Sequence, residues 1–237
     1  MEWSAEGASL TGVAADVIAI DGKTLRRSYQ KKGGTAPIHM VSAFAARQRL
    51  VLGQVKVADK SNEITAIPKL LDMIAIEGAT VTIDAMGAAG QRLRLAKPVG
   101  MACGGCQREI AQKVIDKKAD YVLALKGNQG TLRDDVELFV AEQKAKGFAD
   151  TTVSRHKTVV GDHGRIETRT TTVIHDVDWL DEHKWPGLKR IIIIDSEREI
   201  DGKIETETRL YITSLVLLAN ALGPIVRSHW AVENSLH

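Results

Sequence analysis

The chain has 237 residues, enough to bury a sizeable core as one large domain or as one domain with an insertion. Its 32 Lys and Arg against 30 Asp and Glu leave a net charge of only +2, so a nucleic-acid partner has to be argued from local basic clusters, and 4% aromatic residues give little support to a base-stacking platform. No stretch reaches membrane-spanning length without charge, and the segment MEWSAEGASL lacks a basic flank followed by an apolar signal core, which predicts a soluble intracellular protein.

The first informative stretch is Val17 to Ser28, VIAIDGKTLRRS. Its apolar, β-branched start predicts a buried strand that ends at Asp21, with a sharp turn at Gly22. Lys23, Arg26 and Arg27 follow within a few residues, so a carboxylate and several phosphate-seeking cations arrive together. This pattern fits metal-dependent chemistry on a polyanion. It equally fits an acid opening a turn beside a solvated basic loop.

Ile38 to Ala46 and Leu50 to Val57 read as a hairpin joined at Arg47-Gln48-Arg49. Ser61 or Asn62 then offers a cap for a helix whose apolar positions are Ile64, Ile67, Leu70, Leu71 and Ile74, with Gly78 as its stop and Pro68 as its start or bend. Thr80 to Asp84 (TVTID) is a second strand ending in an acid, which repeats the layout at Asp21. Helices are expected over Gln107 to Lys118 and Thr131 to Lys146, the latter stopped by Gly147, with a buried strand at Tyr121 to Leu125 between them. A hairpin-led sheet extended by alternating strands and helices is an α/β, mixed-sheet domain, a class that carries its functional groups at strand ends.

From Thr151 the pattern becomes β-rich: two long strands around Gly161-Asp162-His163-Gly164, then a pair over Leu188 to Asp195 and Ile204 to Thr213. Helix returns at Leu215 to Leu222, is expected to break at Gly223-Pro224, and resumes from Ile225 to His237. Cys103 and Cys106 are the only cysteines. Their C-G-G-C spacing admits a thiol-disulfide motif, but nothing else supports it, and a zinc site lacks two further ligands nearby.

Asp21 and Asp84 end strands that this topology sets side by side, offering the adjacent hard oxygen ligands that two divalent ions on a phosphate require. A third acid is available on the last helix. Glu233 has His229 and His237 four residues to either side, but eight residues rise ~12 Å, too far for all three to hold one ion. Glu233 therefore fits better as an oxygen ligand completing the aspartate pair; standing alone it would read as a solvated helix acid.

IDGKTLRRS, TIDAMG (Thr82 to Gly87), CQREIAQKVIDKKADYVLALKGNQ (Cys106 to Gln129), GDHGRIETR (Gly161 to Arg169) and HWAVENSLH (His229 to His237) together resemble the DDE transposases of the ISAs type, the H-repeat-associated proteins. The resemblance runs from about Trp3 onward. It implies an RNase H-like core formed by residues 1–147, a β-rich insertion over 148–213, and core helices over 214–237 that carry the third acid. It further implies that Asp21, Asp84 and Glu233 are the catalytic acids and hold two Mg²⁺ or Mn²⁺ ions. The implied reaction is hydrolysis at the ends of an insertion sequence followed by strand transfer. Lys23, Arg26, Arg27, Lys126, Asn128 and His229 are expected at DNA, and Trp179, Trp185 and Trp230 in the core.

The partners so implied are transposon ends and target DNA, bound by a homodimer or higher oligomer, with no membrane and no small-molecule substrate. The place implied is the bacterial cytoplasm, at the nucleoid. The chain departs from the family at Ala88 to Gly105, where 18 residues of expected loop separate the TIDAMG turn from CQREIA. With that insertion, and with an end four residues after Glu233, the expectation is a truncated or decayed copy, inactive or nearly so. The alternative is a non-catalytic, DNA-binding remnant.

Overall fold

The computed structural model describes residues 16–25, 38–57, 63–84, 104–125, 131–162, 165–200, 203–230 and 232. Short apolar runs build the central strands, and among the described residues one mixed sheet of nine strands collects them, in the order β3-β2-β1-β4-β5-β9-β8-β7-β6. β1 (Val17–Thr24), β4 (Thr80–Ile83) and β5 (Asp120–Ala124) run parallel at its centre. β2 (His39–Ala45) and β3 (Leu50–Val57) extend one side as an antiparallel hairpin. The other side is β9 (Lys203–Thr213), β8 (Arg190–Ile200), β7 (Arg165–Ile174) and β6 (Val153–Asp162), all antiparallel. The β-rich segment thus continues the central sheet through the β5–β9 pair.

Side-chain alternation divides the core between the two faces of this sheet. Ile18, Ile20, Val81, Ile83, Tyr121 and Leu123 point to one face, under α1 (Glu63–Met73), α2 (Gly104–Asp116) and α3 (Thr131–Ala145). Val122, Val173, Ile192 and Tyr211 point to the other, under α4 (Ala219–Ser228). Burying both faces requires near-continuous apolar strands, and Ile191 to Ile194 are all buried. This is the α/β, RNase H-like mixed sheet flanked by helices that the family resemblance implies.

Four boundaries differ from the sequence expectation, the first being the helix expected from Ile225 to His237: it ends at Ser228, and His229 and Trp230 form a turn. β1 does not stop at Asp21: it continues to Thr24, with Gly22 opposite Val41 in the ladder with β2, so Gly22 is a strand residue and makes no turn. The hairpin partner supplies hydrogen bonds beyond the point where β4 ends. Leu215 to Leu218 are not helical, and Val216, Leu217 and Leu218 are exposed. Helix α4 starts at Ala219 and runs through Gly223-Pro224 without breaking there. The buried stripe Ala219, Leu222, Val226 holds it on the sheet, and Gly223 lets it come close to Thr171. Tertiary packing outweighs the one backbone bond that proline forfeits.

Other punctuation is as the sequence suggests. Gly147 takes φ +64 just after α3, a left-handed position that glycine fills without strain. Pro68 lies inside α1. The segment around Asp178 forms a 3-10 helix (Asp178–His183). Among the described residues no helix is long and apolar enough to cross a membrane. Most of the expected loop over Ala88 to Gly105, and Cys103 with it, lies outside the described residues, while Gly104 and Gly105 open α2.

Candidate active site

Register and alternation together decide where the two aspartates sit. Ile20 pairs with Ile83 across β1 and β4, and Ile83 pairs with Leu123 across β4 and β5. Continued by one residue, the next row reads Asp21, Asp84, Ala124, and Ala124 pairs with Tyr211 of β9. Neighbouring strands lie ~4.8 Å apart, so the two acids are adjacent on the sheet. Ala19, which shares a face with Asp21, packs with Phe44 and Val232. Thr82, which shares a face with Asp84, meets His229. Both acids therefore rise on the face covered by α4 and the residues after it.

The carboxylate of Asp84 has 16% of its side chain exposed and two donors from β9. The Tyr211 hydroxyl donates to Oδ1 at 3.3 Å, and Arg209 Nη1 donates to Oδ2 at 3.5 Å. These contacts are long and correspondingly weak. Tyr211 reaches Asp84 across two strand spacings because the residue between them in the row, Ala124, leaves the path open. Burial first, and then the charge of Asp84, push the Tyr211 hydroxyl above its ordinary range, so it stays a proton donor. Burial works against the Arg209 charge, but the bond to Glu207 and the nearby Asp84 outweigh it and hold the guanidinium protonated. That group also lies 4.6 Å from the centroid of the Trp230 ring, over its face.

Helix α4 supplies the wall on the other side of the acids. His229 is 4% exposed, and its Nδ1 is 2.9 Å from the Thr82 hydroxyl, which ties the end of α4 to the strand leading into Asp84. Trp230 is half-buried and lines a narrow gap with Asp84, Tyr211 and His229. Trp179 and Trp185 do pack in the core as expected, Trp179 against Phe139 at 4.4 Å between ring centroids. Beyond Asp84 the site opens into a cleft of about 480 Å³ whose lining includes Arg133, Lys144, Glu207 and Arg209.

Of the residues singled out in the sequence, Asp21 and Asp84 come together, and Lys23 lies two residues beyond Asp21 on the same face of β1, half-buried. His229 stands beside them, inside the protein. Glu233, Arg26, Arg27, Lys126 and Asn128 lie outside the described residues. Two carboxylates on neighbouring strands are a hard oxygen donor set of the kind suited to Mg²⁺ or Mn²⁺. A separate group of ligand-type atoms, from Asp135, Glu182 and His183, lies within 4.8 Å of one another. It belongs to the α3 side of the sheet, where His183 bonds Asp135 at 2.9 Å and fixes the 3-10 helix to α3. It cannot serve the two aspartates, which rise on the opposite face.

Arg209, Tyr211, Thr82 and Ala124 were not identified from the sequence. Their signal is the period of two: Arg209 and Tyr211 share a face of β9, and Thr82 shares one with Asp84. What sequence could not supply was the pairing of β9 with β5, which brings that face to the acids.

A family model described as a transposase DDE domain matches residues 14–237. The chain is 40% identical over 217 residues to a Xanthobacter autotrophicus protein named "Uncharacterized protein in dhlA 3'region", covering 90% of this chain and 64% of that protein. It is 39% identical over 242 residues to the "Putative transposase YncI" of Escherichia coli O157:H7, across 100% of this chain and 56% of the relative. With the "H repeat-associated putative transposase YhhI" of Escherichia coli K12 the identity is 40% over 229 residues, across 94% and 55%. The chain thus spans between about half and two thirds of the length of these relatives. Adjacent acids on paired parallel strands and a family match over nearly the whole chain lead to one identification: this chain belongs to the DDE-domain transposase family, alongside the H-repeat-associated proteins.

Proposed function

We propose that this chain carries the catalytic centre of a DNA transposase that hydrolyses phosphodiester bonds at insertion-sequence ends and then joins the freed 3′ ends to target DNA. The observation that carries this reading is the adjacency of Asp21 and Asp84 on the α4 face of β1 and β4. Asp21 and Asp84, with Glu233 as the third acid, would hold two Mg²⁺ or Mn²⁺ ions, which when bound would lower the pKa of a water or 3′-hydroxyl and offset charge on the leaving oxygen. Support for Glu233 comes from its neighbour: Val232 is buried against Ala19, two residues before Asp21 and on the same face.

The chain's own side chains bind and orient the substrate. Lys23, Arg26, Arg27, Lys126 and Asn128 contact the DNA backbone near the acids, where charge fixes register without reading sequence. His229 positions rather than reacts: buried and bonded to Thr82, it keeps the last helix seated on β4. Transposon ends and target are the partners, bound by a homodimer or higher oligomer, at the nucleoid.

The test is a nicking assay with Mn²⁺ on DNA bearing the cognate ends, run on this chain and on a full-length relative. Replacing Asp21, Asp84 or Glu233, or the matching acid of the relative, by Ala should lower nicking by at least about 100-fold. Undiminished nicking in any one of these variants removes that acid from the centre.

A further inference from the structure

Asp84 has a cation beside it. Arg209 Nη1 is 3.5 Å from its Oδ2, while Arg209 Nε bonds Glu207 Oε1 at 2.8 Å and the guanidinium rests on Trp230. Neither Asp84 nor Arg209 is more than a third exposed, so the field between them is only partly screened. A divalent ion bound to Asp84 would put a second positive charge a few ångströms from the guanidinium. The two cations would contend for one carboxylate. Arg209 also has somewhere to go: Glu207 already holds its Nε, and Arg209 lines an open cleft into which its side chain can turn.

We propose that Arg209 is the resident counter-ion of Asp84, neutralising the acid while the site holds no metal and yielding it when divalent ions enter. Tyr211 has a different part. As a neutral donor to Oδ1 it orients the carboxylate in either state, and its replacement leaves the local charge unchanged. Both residues belong to β9, the last strand of the β-rich segment, so that segment is linked directly to the occupancy of the acid pair. Arg209 is a positioning residue in this scheme. The inference rests on the reading of Asp84 as a metal ligand.

The experiment measures Mn²⁺ affinity of the full chain without DNA, by the electron paramagnetic resonance signal of free Mn²⁺. Arg209→Gln should tighten binding by about fivefold to tenfold, the scale of one partly exposed charge pair. Arg209→Lys should stay within about twofold of the starting affinity, because it retains the charge, and Tyr211→Phe should also change it by less than about twofold. Unchanged or weaker binding in a folded Arg209→Gln protein overturns the counter-ion role while leaving Asp84 as a ligand. Asp84→Asn should abolish the tight site, and binding undiminished in that variant overturns the metal reading itself. Should Arg209→Gln fail to fold, nitrogen-15 spectra of the unaltered chain decide. The Arg209 Nε–H signal, assigned by its loss in Arg209→Lys, must shift on titration with Mg²⁺, and a stationary signal refutes the exchange.

Discussion

Substitution of Gly223 tests the packing that seats the last helix against the acid site. A Cβ added there would lie 2.7 Å from Thr171 Oγ1, whereas ordinary contact begins near 3.4 Å, so about 0.7 Å of separation must be found. Thr171 is 5% exposed on β7, and its β-branched side chain is stiff, so it cannot turn aside freely. Overpacking of this kind costs about 1–3 kcal/mol. Exchanging Gly for Ala in a helix returns about 1 kcal/mol, so Gly223→Ala should destabilise the chain by up to about 2 kcal/mol. The partner variant isolates the cause. In Thr171→Ala the obstructing oxygen is gone, and Gly223→Ala in that background should be neutral or stabilising, a coupling of about 1–3 kcal/mol. Urea denaturation followed by tryptophan fluorescence measures all four proteins. A Gly223→Ala effect that is the same size in both backgrounds would refute the close approach. The same shift should reach function, because α4 leads into His229 and Trp230, and a displacement near 1 Å can cost two orders of magnitude in rate.

Two further outcomes follow from single contacts. Thr82→Val removes a hydroxyl from the buried pair with His229 Nδ1 and should cost about 1–3 kcal/mol in the same denaturation experiment; a loss under about 0.5 kcal/mol would show that the pair does not hold α4. Glu167 lies in β7 with only 11% of its side chain exposed; burial acts to raise its pKa, but the paired Arg169, bonded at 2.7 and 3.0 Å, and then Arg198 and Arg227 bring it below the ordinary carboxylate value. Its folded pKa is thus depressed, so its contribution is complete above the usual value of 4.5 and is lost as the pH falls below it. The urea midpoint should therefore drop more steeply from pH 5 to pH 3 in the unaltered chain than in Glu167→Gln, and parallel curves would dismiss the linkage.

The local pattern of this sequence is enough to locate most of its elements and the two strand-end acids proposed as catalytic. Apolar runs define β1, β4 and β5, the Thr131 to Ala145 periodicity defines α3, and each of Asp21 and Asp84 closes the part of its strand that is paired in the sheet centre. These features depend on neighbours a few residues away, which is why they can be read along the chain. Where β1 ends is different, because Gly22 stays extended only through its ladder with Val41. The passage of α4 through Gly223-Pro224 is likewise set by the sheet beneath it, whose burial of Ala219, Leu222 and Val226 overrides a local breaker. The same holds for Arg209 and Tyr211, 125 and 127 residues from Asp84 in sequence. Nothing within the Thr-Arg-Leu-Tyr stretch announces that neighbour, since strand pairing is a contact between distant segments and only the β5–β9 ladder decides which side chains β9 delivers to the acid.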